Sequence, residues 1–264
     1  MSQGSPDRGD IAISYLVLCA AGTMESIVGL SVTMLVLATL VMAIGAALQA
    51  AVGLGMALFV VPLLALIDVR LIPGPVLLAS VALAVMMAYR GRAAINRREL
   101  TLSLVGLCMG TAVGASGLSL VAPASLTKLF ALLILVAVLV SLIGTGVRVS
   151  RGALLAGGGA AGVMGTMVGI HGPPIALVFQ NAEPAQARAM LGAFFAVGYA
   201  TSVIALFAVG LFGRQELTVG LLLLPGVGIG YATAPLVGRF VDRRRLRIAI
   251  LTISGASAIA LALR

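Results

Sequence analysis

The single histidine of the 264-residue chain, His171, lies in the run Gly169-Ile170-His171-Gly172-Pro173-Pro174. Glycines at such a point let a helix break, and prolines remove backbone donors and stop a preceding helix. A half-helix that starts after the break presents amide donors and a partial positive charge to an anion. His171 is suited to donate to that anion or to carry a coupled proton, because imidazole titrates near neutral pH. A neutral imidazole satisfying a freed carbonyl is the alternative. A second break of the same kind occurs upstream, where Gly53-Leu54-Gly55 leads to Val61-Pro62-Leu63-Leu64. Gln49 and Gln180 lie close to the two breaks, as neutral donors to a ligand or as hydrogen-bonding glue between helices. The candidate substrate contacts are therefore Gln49, Gly53, Gly55, Pro62, Gly169, His171, Gly172, Pro173, Pro174 and Gln180, with His171 also the candidate for proton coupling. No catalytic residue, cofactor or metal site is expected. Arg70 and Arg188 open the spans that follow the two breaks; an electropositive mouth is one reading, and solvated interface arginines the favoured one.

The elements that must position these residues are set by composition. Hydrophobic residues make up 61% of the chain and charged ones 9%, with a mean hydropathy of +1.19. A folded soluble protein needs a polar skin that this chain cannot supply, which excludes a cytosolic enzyme, a disulfide scaffold and a disordered tail. The apolar runs are continuous rather than alternating, so the spans are helices and not barrel strands. The net charge of +9 comes from arginines gathered between spans, a topology signal rather than a nucleic-acid footprint. Residues 1–10 carry no basic cluster and do not read as a signal peptide. Cys19 and Cys108 both sit in apolar runs and form no disulfide framework.

Charge and proline divide the chain into apolar segments at 11–23, 27–50, 53–67, 72–89, 100–120, 126–147, 152–168, 174–180, 189–212, 217–237 and 246–263. The pattern repeats. Each half runs from a glycine-rich break through proline into a short apolar piece and then a turn bearing Arg70 or Arg188; Glu99-Leu100-Thr101 in one half matches Glu216-Leu217-Thr218 in the other. The expected architecture is one all-α transmembrane domain, 1–264, a polytopic helical bundle of about 8–10 segments. It is built from repeats at 27–148 and 150–264. Placing Arg90–Arg98, Arg148–Arg151 and Arg239–Arg247 on the same side requires 152–180 to enter and leave as a hairpin. Each half then has an odd number of crossings, and the repeats are inverted. Paired broken helices in corresponding positions point to a transporter site.

Two other function classes need weighing. Gly114-Ala115-Ser116-Gly117 matches the Gly-x-Ser-Gly of rhomboid proteases, with His171 as the partner base. Ser116 sits near the end of its span rather than at a helix start, and the prolines after His171 disrupt the helix a base needs. An anion channel would share the duplication and the broken helices.

The glycine-rich break, Val-Pro-Leu-Leu, the basic turn and their repetition resemble the TauE/SafE family of sulfite and organosulfonate transporters over roughly 30–264. The quoted parts are Gly53-Leu54-Gly55 with Val61-Pro62-Leu63-Leu64, and Gly165 through Pro174. Family members often carry a fuller glycine triplet at both breaks, and here His171 stands inside the second. The resemblance implies a secondary carrier in the bacterial cytoplasmic (inner) membrane for a small anionic sulfur solute such as sulfite or sulfoacetate. Its partners would be that solute and the lipid bilayer, with no nucleic acid and with a homo-oligomer left open.

Overall fold

In the computed structural model, residues 29–53, 56–142, 147–240 and 242–263 are described, and they form ten α-helices joined by short turns. These are α1 (Val32–Val52), α2 (Ala57–Ile67), α3 (Gly74–Gly91), α4 (Arg97–Ser119), α5 (Leu126–Leu142), α6 (Arg151–Val168), α7 (Gly172–Val178), α8 (Pro184–Ala208), α9 (Arg214–Phe240) and α10 (Arg243–Ala262). Each follows the expected apolar segment to within a few residues; segment 11–23 lies outside the described residues. Seven helices among the described residues are long and apolar enough to cross a membrane: α1, α3, α4, α5, α8, α9 and α10. The chain is a multi-pass membrane protein.

Local signals fix the helix ends. Ser31 caps α1 by accepting from Met34 N–H, Asn96 caps α4 from Arg98 and Glu99, and Asp242 caps α10 from Arg244 and Arg245. The interior stops are different. Helix α1 ends at Gly53 with φ 78° and ψ 4°, and α6 ends at Gly169 with φ 87° and ψ 5°. In both, the glycine N–H returns to the carbonyl four residues back, Gln49 or Gly165, at 2.8 Å. This left-handed cap favours glycine, so the two breaks share one geometry.

Close-packed glycines hold the bundle together. A Cβ on Gly110 of α4 would collide with the backbone of Gly159 on α6, and one on Gly230 of α9 would collide with Ala43 on α1. Backbone-to-backbone approach of this kind maximises dispersion contact where lipid gives helices no hydrophobic reason to pair. The register of the contacts makes α1 run alongside α9 in the same direction, and α6 alongside α4. Helix α3 packs against α8, and α5 against α10.

Contacts between turns sort the helix ends. Gly29 approaches Arg70, and Gly74 approaches Phe212 and Glu216, so these belong to one end of the bundle. Gly91 meets Ala189, Arg90 stacks on Tyr231 with 4.9 Å from guanidinium carbon to ring centroid, and Arg247 donates to the Ser141 carbonyl at the other end.

Filling the α4–α6 contact is expected to destabilise the fold by about 1–3 kcal/mol, the usual cost of overpacking. Gly110→Val should unfold at a clearly lower temperature in detergent. Gly228→Ala, whose added methyl meets open space, should unfold at or slightly above the wild-type temperature. Equal stability of the Gly110 variant and wild type would contradict this packing.

Candidate functional site

The second break is a sealed polar knot. His171 is fully buried, its Nε2 lies 3.1 Å from Ser202 Oγ on α8, and that hydroxyl lies 2.8 Å from Thr166 Oγ1 on α6. Gly165 has no side chain because the imidazole occupies that space, and Gly198 admits the ring from the α8 side. Tyr199 meets the ring edge-to-face at 5.0 Å. His171 Nδ1 and Thr111 Oγ1, on α4, are both buried without a hydrogen-bond partner.

The first break is closed differently. Gln49 is fully buried, and its Oε1 accepts from Met56 N–H at 2.6 Å, across the break. Its Nε2 points to Met87 Sδ at 3.6 Å. Gln49 therefore satisfies the backbone at the start of α2, and its amide is committed inside the protein. Position 49 in α1 corresponds to position 165 in α6, four residues before each left-handed glycine. One break is filled by a glutamine side chain; the other keeps that place empty for His171.

Beside the breaks lies a cleft of about 360 Å³. Gly53, Leu58, Val140 and Ser141 border it, with Arg247, Ile250 and Leu251 of α10; the opposite wall is Gly172, Pro173, Ala176 and Leu177 of α7, then Gln180, Arg188 and Leu191. Two guanidinium groups line it and no carboxylate does. The half-buried Arg188 lays its side chain over Gly53, where a Cβ would come within 2.6 Å of Arg188 Cγ. No ion pair or hydrogen bond engages Arg188 among the described residues. Arg247, from the opposite wall, caps the end of α5 through the Ser141 carbonyl. Ser254 of α10 also donates to the Leu58 carbonyl, tying α2 to the same wall.

Of the residues singled out from sequence, Gly53, Gly172, Pro173 and Gln180 border this cleft. Gln49, Pro62, Gly169, His171 and Pro174 are buried behind it, and Gly55 lies outside the described residues. Helix α7 spans only seven residues, and Pro173 and Pro174 remove two of its first amide donors. Its backbone offers an anion less than the broken-helix pattern suggested. The favoured reading of both arginines as solvated interface groups separates on inspection. Arg70 is 52% exposed at the side chain and paired with Asp68 at 2.7 Å, whereas Arg188 turns into the cleft. Burial raises the Asp68 pKa, but the hydrogen bonds and charge of Arg70 outweigh it and hold the carboxyl below its ordinary value. Arg247 and Ser141 were not singled out; Arg247 belongs to the basic cluster that positive-inside reasoning treats as topology alone. Ser116 is exposed on α4, and His171 bonds Ser202 instead, so the geometry assembles no dyad from Ser116 and His171.

A family model described as sulfite exporter TauE/SafE matches residues 36–261. No curated protein and no solved structure matches the chain.

Replacing Gln49 by Leu should strand the buried Met56 N–H at a cost of about 1–3 kcal/mol, the usual penalty for an unsatisfied buried donor. Thermal unfolding in detergent reads this directly; a Gln49→Leu protein as stable as wild type would show that the break does not depend on the glutamine cap.

Proposed function

The chain belongs to the TauE/SafE family and is a membrane transporter, not an enzyme, and from that premise we propose that it is a secondary carrier of sulfur oxyanions or organosulfonates. We place the transported anion in the cleft between α7–α8 and α5–α10. The observation that carries this reading is the charge of the lining: Arg188 and Arg247 both border the cleft, and no acidic side chain does. Guanidinium forks match the oxygen geometry of sulfonate and sulfite, and the half-buried setting of Arg188 strengthens its attraction. The apolar remainder of the walls, Leu58, Val140, Leu177 and Leu251 among them, suits the carbon body of a sulfonate.

The two halves are read as inverted repeats. Supporting this, α1 and α6 stop at the same left-handed glycine cap, and each packs in parallel against the fourth helix of the other half. The central pairs, α3 with α8 and α5 with α10, join corresponding helices. The arginine-rich turns after α3, α5 and α9 share the end at which the cleft lies, which the positive-inside rule assigns to the cytoplasm of a bacterial inner membrane. Alternating access then moves the α2–α5–α10 wall relative to the α7–α8 wall about the anion, closing this cleft and opening its counterpart at the other end.

The test is thermal unfolding of the purified protein with sulfite, sulfoacetate, toluenesulfonate and matched carboxylates. A ligand at a hundred times its Kd adds about 2.7 kcal/mol of stability. Sulfonates or sulfite should stabilise wild type more than carboxylates do. Arg188→Ala should lose that gain and Arg188→Lys should keep part of it. Undiminished stabilisation of Arg188→Ala would remove the anion from this cleft.

A further inference from the structure

The polar knot of His171, Ser202 and Thr166 lies beside the residues that wall the cleft. Nine-tenths or more buried, His171 has one ring nitrogen paired and the other, Nδ1, without a partner. Buried polar atoms are almost always satisfied, so such an orphan calls for an explanation. The knot sits on the break itself: His171 is followed directly by Gly172 and Pro173, which wall the cleft. It is also the meeting point of α6, α8 and the facing turn of α4, through Thr166, Ser202 and Leu107.

We propose that His171 is the proton-binding site of the carrier, taking up one proton at Nδ1 when an anion enters the cleft; this rests on the anion reading above. The reason is charge balance. An imidazolium in a dry setting needs a counter-charge. Around the ring, α8 supplies Gly198, Tyr199 and Ser202, α6 supplies Gly165 and Thr166, and α4 supplies Leu107. Tyr199 is the one ionisable group among these, and none carries a negative charge at neutral pH. The missing counter-charge is the anion in the cleft, which the next residue along the backbone, Gly172, borders. Ser202 is the group that adapts: its hydroxyl accepts from a protonated Nε2 and donates to Thr166, or reverses both. Proton and anion thereby bind as a neutralised pair. The proton comes from solvent, and no other bond changes.

The test uses toluenesulfonate, which stays ionised across the working range, and calorimetry of its binding in buffers of different ionisation enthalpy. Wild type should take up close to one proton per anion, and its affinity should weaken about tenfold per unit as pH rises through the linked range. His171→Gln should bind with the weak high-pH affinity at every pH and take up no proton. Ser202→Ala should keep the uptake but shift the pH at which it occurs. Binding by wild type without proton uptake, or uptake retained in His171→Gln, would overturn the proposal even if that variant proves unstable, since the first result needs wild type alone. Absence of sulfonate and sulfite binding at every pH would instead overturn the cleft reading, and this inference with it.

Discussion

A buried helix end leaves backbone carbonyls and amides that must find partners, and two such ends, at Gly53 and Gly169, share one geometry here. At Gly53 and Gly169 the left-handed turn returns one N–H to the last turn of the helix. What remains must be met by side chains or covered by neighbours. Gln49 does the first at one break; the packing of α4, α6 and α8 around His171 does the second at the other. The glycine faces of the α4–α6 and α1–α9 pairs follow from the same requirement, because only backbone-close packing presses partner helices tightly enough on the broken pair. The two breaks share a backbone and differ in filling: one holds the Gln49 side chain, the other encloses His171.

Charge is distributed with equal asymmetry. At one end of the bundle, Arg70 is held by Asp68 and half of its side chain faces solvent. At the other, Arg188 lies across Gly53 and borders, with Arg247, a cleft lined by no acidic side chain. A guanidinium next to a carboxylate offers little to a third charge, whereas an unpaired one on a low-dielectric wall attracts an anion strongly. The break and the cation touch: the Arg188 side chain rests on the glycine where α1 ends.

The fold was legible because it rests on local rules. Apolar length, charge between the spans, and glycine followed by proline mark the helices within a few residues, and the TauE/SafE resemblance rests on those same breaks. The site was legible only in part. Gly53 and Gly172 announce broken backbone, and both border the cleft. Arg188 was read as a choice between mouth and interface, and its half-buried place in the cleft lining was not legible because nothing local reports whether an arginine leans inward. Arg247 was hidden within a basic cluster that has a sufficient explanation in topology. Gln49 was read as a donor to a ligand or as hydrogen-bonding glue between helices; its partner, Met56 N–H, is seven residues away across a turn that closes with left-handed geometry. His171 was correctly placed at the break, but Ser202 and Thr166, its neighbours in space, come from helices that sequence reading brings together only by packing.

The most direct measurement of the central claim is a crystallographic one, locating 4-bromobenzenesulfonate by the anomalous signal of its bromine. The account predicts the sulfonate between Arg188 and Arg247, with the bromine among the apolar lining residues Leu58, Leu177 and Leu251. A bromine peak outside this cleft, with Arg188 and Arg247 making no contact to the anion, would contradict it.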